Sequence, residues 1–207
     1  MTIVLATGNK HKVREVREIL QPAGIHVLAA DEVGGMPEVE EDRATFEGNA
    51  AKKAVECAAA LGRVVLADDS GLAVDALSGA PGVLSARYAG EHGNHTANIA
   101  RVLRELREGG NRRAHFVCVL AVASPDGHVE TIEGAVHGAI AESPRGTGGF
   151  GYDPIFIPDG HSQTFAELPA DTKNRLSHRG DALRKLVASH LLDRFGEKGI
   201  IPRPASA

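Results

Sequence analysis

Tryptophan is absent from this 207-residue chain, and the other aromatic side chains number only six Phe and two Tyr. A core must therefore be assembled from Ala, Val, Leu and Ile. Cysteine is nearly absent too. Cys57 and Cys118 stand in apolar helix-like and strand-like contexts, which reads as two buried thiols of a cytosolic protein rather than a disulfide or a metal pair. Long hydrophobic runs are missing: the longest, Phe116 to Ala123, is too short to cross a bilayer. Neither charge sign dominates. With 23 basic and 27 acidic residues and a formal net charge of −4, no general electrostatic handle exists for nucleic acid or an anionic membrane. The opening residues Met1 to Ala6 carry no basic leader and run straight into Thr7-Gly8-Asn9, so no signal peptide is expected, and a cytoplasmic location is. What the chain has in excess is glycine, 24 residues against an average usage of roughly 7%. No collagen-like period accounts for them, which assigns many to tight turns or ligand-facing loops.

Hydrophobic periodicity then sets the organisation. Thr2 to Ala6 reads as a short buried strand. A helix beginning near His11 follows, with Val13, Val16, Ile19 and Leu20 on one face, stopped by Pro22 and Gly24. His26 to Ala29 is a second strand. Thr45 to Leu61 is an Ala-rich helix closed by Gly62. Val64 to Ala67 is a buried strand ending on Asp68-Asp69-Ser70-Gly71. Residues 79–93 show turns and no clear period, and His95 to Glu108 is an amphipathic helix. His115 to Ser124 and His128 to Ile140 are strand-like and joined by Pro125-Asp126-Gly127, a hairpin signal. A Gly-rich loop from Arg145 to Tyr152 leads into Pro154 to Pro158, and one last helix is expected within Ala170 to Phe195. Residues 196–207 read as a loose tail. The class is mixed α/β, with strand–helix alternation first and an antiparallel hairpin later.

Four segments carry groups able to do chemistry. Thr7-Gly8-Asn9-Lys10-His11-Lys12 lies where a strand gives way to a helix, whose N–H groups and dipole suit an anion; the plainer alternative is Thr or Asn as a helix cap. Asp68-Asp69 closes a buried strand, placing oxygen ligands for a hard divalent cation at a sheet edge, or else capping the next turn. Glu38, Glu40, Glu41 and Asp42 offer further carboxylates. Gly146 to Asp153 formally contains G-x-G-x-x-G, but the following Tyr-Asp-Pro-Ile-Phe starts no helix, so a dinucleotide fingerprint is rejected. A loop presenting backbone N–H groups and one exposed aromatic to a flat ligand fits, as does an ordinary hairpin loop. Lys173 with Ser177-His178-Arg179-Gly180 is either a solvated face or a pair of cations facing an anion or carbonyl. No P-loop, H-E-x-x-H, C-x-x-C or G-x-S-x-G is present.

In chain order, several stretches resemble the inosine/xanthosine triphosphate pyrophosphatase family. They are Leu5-Ala6-Thr7-Gly8-Asn9-x-x-Lys12, Thr45-Phe46, Asn49-Ala50, Lys53-Ala54, Ala67 to Asp75, Gly79 to Gly82, Ser85 to Gly90, Gly146 to Phe156 and Ser177 to Gly180. The resemblance implies an α/β fold with a long, mixed, curved sheet between two lobes and a nucleotide cleft. It makes residues 1–195 one two-lobed domain. It also implies a homodimer, a purine nucleoside triphosphate as substrate, Mg²⁺ as cofactor, and hydrolysis to monophosphate and pyrophosphate. By the same resemblance, Thr7, Gly8, Asn9, Lys10, His11 and Lys12 cradle the triphosphate with help from Lys53. Asp69 binds Mg²⁺ and accepts the proton of the attacking water, with Asp68 beside it, and Ser70 contacts the substrate. Phe150, Gly151, Tyr152 and Asp153 hold the base, Phe150 by stacking, and Lys173, His178 and Arg179 close the base and phosphate side. One stretch departs from the family pattern, Glu41-Asp42-Arg43-Ala44 before Thr45-Phe46, so the second metal ligand is Glu40 or Glu41. The other readings are a metal-dependent pyrophosphohydrolase of another nucleotide and a non-catalytic nucleotide-binding module.

Overall fold

Short continuous apolar runs alternate with amphipathic or Ala-rich stretches through the first half of the chain, and the former become strands, the latter helices. The structure is a computed structural model and describes residues 1–106 and 110–196. Thr2–Leu5 forms β1, Lys10–Leu20 α1, His26–Ala29 β2 and Phe46–Leu61 α2. Asn9 caps α1 by accepting from His11 N and Lys12 N, and Thr45 caps α2 by accepting from Gly48 N. Gly62 ends α2 at φ 61, a left-handed position that costs glycine little. Val65–Val74 is β3, His95–Glu105 α3, Arg113–Ala123 β4, Val129–Ile140 β5 and Phe156–Pro158 β6. The carboxyl-terminal helices are α4, Ala170–Leu176, α5, His178–Ala188, and α6, Asp193–Gly196.

The six strands lie in the order β2-β1-β3-β4-β5-β6. β1 runs parallel to both β2 and β3, while β5 and β6 are antiparallel, so the sheet is mixed, as expected. The β4–β5 connection turns where Pro125-Asp126-Gly127 signalled it: Ser124 N donates to His128 O and Gly127 N to Ser124 O, both at 3.0 Å.

Several boundaries differ from the sequence reading. β3 does not stop at Ala67 but continues through Asp68, Asp69, Ser70 and Gly71 to Val74. The acids therefore lie mid-strand rather than at its end, and they do not cap a turn. Local turn chemistry is overridden because each polar side chain there finds a partner on another element. The last helix is three helices. Ser177 takes an extended conformation (ψ 153) at the end of α4 and starts α5 by accepting from Gly180 N at 3.0 Å. His190, at φ 54, sits between α5 and α6. Residues 82–87, without period in the sequence, form a short 3₁₀ helix. The helix expected to run from His95 to Glu108 ends earlier, at Glu105, because Leu106 turns extended (ψ 111). Gly196 belongs to α6; the rest of the expected tail lies outside the described residues.

The chain divides into two compact units, one of Met1–Asp69, Val119–Ile132 and the residues from Leu183 on, the other of Ser70–Cys118 and Glu133–Ala182. The first is packed from aliphatics, with Ile3, Leu5, Leu20, Leu66, Leu120 and Leu186 buried. The second gathers the scarce aromatics. Phe116 meets Phe156 edge-on at 4.7 Å and Phe156 meets Phe165 at 5.1 Å, with Leu72, Val74, Ile99, Val102, Tyr88, Tyr152 and Ile155 in the same cluster. Ring pairs of this kind contribute about 1 kcal/mol each beyond area burial. Cys57 and Cys118 are buried free thiols. Among the described residues, no helix is long and apolar enough to cross a membrane.

Candidate active site

The parallel register of β1 and β3 pairs Leu5 with Leu66, which brings the segment after β1 alongside Asp68 and Asp69. Successive residues of a strand face opposite ways, and the two acids duly meet different partners. Asp68, 2% exposed, takes Lys12 Nζ from the first turn of α1 at 2.9 Å. Asp69, 7% exposed, accepts from Asn49 Nδ2 of α2 at 2.9 Å. Glu41 pairs with Lys53 of α2. Asp68, Asp69, Glu41, Lys12 and Lys53 thus form one charge cluster within the first unit.

Its electrostatics are coupled. Burial raises the Asp69 carboxyl to about 6; the Asn49 hydrogen bond pulls it down, the Glu41 charge pushes it up, and Lys12 and Lys53 lower it. Burial works against the Lys53 charge, yet Glu41, Asp68 and Asp69 together raise its pKa above the ordinary lysine value. Of the two acids left open by the sequence, Glu41 is the one whose charge acts on Asp69. Glu40 is exposed, and its backbone carbonyl accepts from Lys52.

The segment expected to cradle phosphate is arranged around its own cap. Thr7 Oγ1 accepts from Asn9 N at 3.2 Å, and Asn9 Oδ1 from His11 N at 2.9 Å and Lys12 N at 3.4 Å. The capping alternative is thus realised, and three N–H groups of the segment, those of Asn9, His11 and Lys12, are occupied. Gly8, Lys10 and His11 are exposed.

In the second unit the Gly-rich loop is organised by Asp153. Its Oδ2 accepts from Phe150 N at 2.8 Å and from Lys173 Nζ at 2.7 Å. Lys173 Nζ stands 5.0 Å from the Phe150 ring centre and the Arg179 guanidinium 5.9 Å, so two cations lie over this ring. Arg179 Nη2 also donates to Ser70 Oγ at 3.1 Å. The His178 ring stacks on Phe116 at 4.7 Å with an 11° tilt.

The expectation that this loop offers its N–H groups to a ligand is corrected at two positions. Gly148 N donates to Ala166 O at 3.0 Å, and Phe150 N to Asp153. Three of its glycines serve packing: a Cβ at Gly146 would collide with Ala166 backbone, one at Gly149 with the Asp153 carboxylate, and one at Gly148 would sit tightly, 3.0 Å from Ala166 O. Two expected base contacts also face inward. Tyr152 is buried and donates its hydroxyl to Ser85 O at 2.9 Å, and the Asp153 side chain is buried as described. Phe150 remains half-buried, and Gly151 turns the chain at φ 62.

A family model described as the Ham1 family matches residues 3–189. The chain belongs to the Ham1 family. It is 52% identical over 198 residues to a dITP/XTP pyrophosphatase of Desulforamulus reducens, covering 94% of this chain and 97% of that one. It is 53% identical over 190 residues to a dITP/XTP pyrophosphatase of Rhodospirillum centenum, covering 90% and 93%. The solved structure of a HAM1 protein from Coxiella burnetii superposes with TM-score 0.84 at 41% identity, over 91% of this chain and 98% of that one. The family read from the ordered motifs is the one matched.

In this Ham1 chain the acid cluster fits a hard cation. Asp68, Asp69 and Glu41 bring carboxylate oxygens, the ligand type a hard cation such as Mg²⁺ takes, one or two at a time, together with substrate phosphates. The residue missed by the sequence reading is Asn49. It is 1% exposed and bridges the acid-bearing loop to β3, accepting from Arg43 N at 2.9 Å and donating to Asp69. A signal was present: an Asn in the first turn of an Ala-rich helix is a poor helix former and needs a reason to be there.

Proposed function

We propose that this chain hydrolyses non-standard purine nucleoside triphosphates, dITP, ITP and XTP, to the monophosphate and pyrophosphate. The observation that carries the reading is the buried Asp69, held at about 6 by burial and gripped by Asn49 beside Lys12, Lys53 and Glu41. In the reaction, a water oxygen bonds to the α-phosphorus while the bond to the α–β bridging oxygen breaks, and pyrophosphate leaves. Asp69 takes the water's proton; a base of that strength is ionised at neutral pH yet still accepts a proton usefully. Lys12 and Lys53 turn from Asp68 and Glu41 toward the phosphates and neutralise the charge that builds there. Mg²⁺, held by Asp69 with Glu41, would supply further neutralisation of the phosphate oxygens when bound.

Phe150 stacks on the purine, and Lys173 and Arg179 donate to its 6-oxygen. The same donors facing the amine of adenine are left unmatched, a mismatch that buried sites reject by roughly 10⁴. The protein acts as a homodimer in the cytoplasm, a location that accords with its two buried free thiols.

The test is product identification after incubation with dITP, XTP, ATP and Mg²⁺. Monophosphate plus pyrophosphate from dITP and XTP is expected, lost on chelation and restored by added Mg²⁺. Release of orthophosphate with a nucleoside diphosphate, or equal turnover of ATP, contradicts it.

A further inference from the structure

Arg179 and His178 occupy the first turn of α5, so the depth at which that turn sits on the sheet decides where their side chains end. β5 meets it with two consecutive residues. At Gly134 there is no room for a side chain: a Cβ would fall onto the backbone atoms Ala182 N and His178 O and lie 2.8 Å from Ala182 Cα. These atoms are backbone, and no rotamer change moves them aside. At the next residue, Ala135 N donates to Asp181 Oδ2 at 3.2 Å, tying the strand to the same turn of the helix. The turn is gripped at two other points as well, through His178 stacked on Phe116 of β4 and Arg179 bonded to Ser70 of β3. All these residues belong to the second unit.

We propose that Gly134 and Asp181 are positioning residues for base recognition. Gly134 sets how closely α5 approaches β5, Asp181 sets its register along the strand, and together they place Arg179 and His178. Neither touches the ligand. The inference rests on the proposed reading that Arg179 meets the purine base, and on the family resemblance for His178 beside it.

A methyl group at Gly134 needs ordinary contact distance to the helix backbone, which moves the turn outward by roughly 1 Å. Misplacement of that size costs up to about 100-fold in an active site. The experiment measures kcat/KM for dITP and inhibition by inorganic pyrophosphate, which has no base, for the parent, Gly134→Ala, Asp181→Ala and Asp181→Asn. In Gly134→Ala, kcat/KM for dITP is expected to fall about 10- to 100-fold, chiefly through KM. The inhibition constant for pyrophosphate should stay within about two-fold. Asp181→Ala should follow the same pattern more weakly, and Asp181→Asn, which keeps an oxygen for Ala135 N, should recover most of the loss.

The proposal is overturned if dITP and pyrophosphate weaken in parallel, since a general loss of structure does that. It is also overturned if Asp181→Asn is no better than Asp181→Ala, or if kcat/KM for dITP is unchanged in both Gly134→Ala and Asp181→Ala. Should Gly134→Ala fail to fold, the Asp181 pair decides by itself. If the parent releases no pyrophosphate from dITP, the functional reading has failed rather than the seat.

Discussion

Asp69 carries a cost that a purely structural residue would not. Its carboxyl is raised to about 6 from an ordinary 3.8, chiefly by burial. Between those values the unfolded chain has lost the proton and the native chain still holds it. Stability therefore falls as pH rises from about 4 to about 6, and above that the full cost of ionisation is present, about 3 kcal/mol at the limit. Asp69→Asn keeps an oxygen for Asn49 and removes the charge. Thermal denaturation in chelator should find this variant more stable than the parent at pH 7.5, with the two converging near pH ~4, while pyrophosphate release drops by about 100-fold or more. Unchanged turnover would remove Asp69 as the base, and equal melting at pH 7.5 would remove the burial cost. Asn49 works in the other direction. Its hydrogen bond lowers the Asp69 pKa, so Asn49→Ala should shift the acidic limb of the kcat/KM profile to higher pH. The lost buried bonds should also cost about 1–3 kcal/mol in denaturant unfolding.

The glycines of the 145–153 loop let one stretch of chain pack onto another. Gly146 and Gly148 lie against Ala166, and Gly149 against Asp153. Asp153 then acts as the loop's internal post, holding Phe150 N and Lys173 Nζ on the same oxygen. Lys173 and Asp153 are both buried, and removing one member of such a pair is strongly destabilising. Asp153→Ala is expected to lower stability by about 3 kcal/mol and to raise KM for dITP with a smaller change in kcat. A variant with parental stability and KM would show that the loop does not depend on this post. The division of the last helical stretch has a comparable local cause. Ser177 ends α4 in an extended conformation and its hydroxyl caps α5, which puts His178 and Arg179 at a helix start instead of mid-helix, where a continuous helix would have carried them.

At the level of the chain, the aliphatic first unit carries the acid cluster and the aromatic second unit carries the Phe150 loop, each with its own core. The functional reading adds a second copy of the chain. Light scattering across a dilution series should report twice the mass of one chain; a monomer at every concentration active in the product assay would refute the homodimer.

Much of this was legible along the chain, because strand and helix periods, caps and turns are local physics. The Thr45 and Gly62 boundaries of α2, the β2 limits and the turn at 125–127 all stand where their residues signalled them. The ordered motifs were equally legible and led to the family. Local chemistry misled where distant partners rewrote it. Asp-Asp-Ser-Gly reads as a turn until Lys12, Asn49 and Arg179 supply partners that let the strand run through. Gly146, Gly148 and Gly149 read as ligand-facing until Ala166 and Asp153 fill the space beside them. Which of Glu40 and Glu41 bears on Asp69 likewise depended on the fold, which lets the Glu41 charge act on it. Residue type and spacing settle which groups a chain possesses and which elements they begin; only long-range packing settles which groups meet, because burial and partner distance set whether a carboxylate, an amide or a glycine serves chemistry or structure.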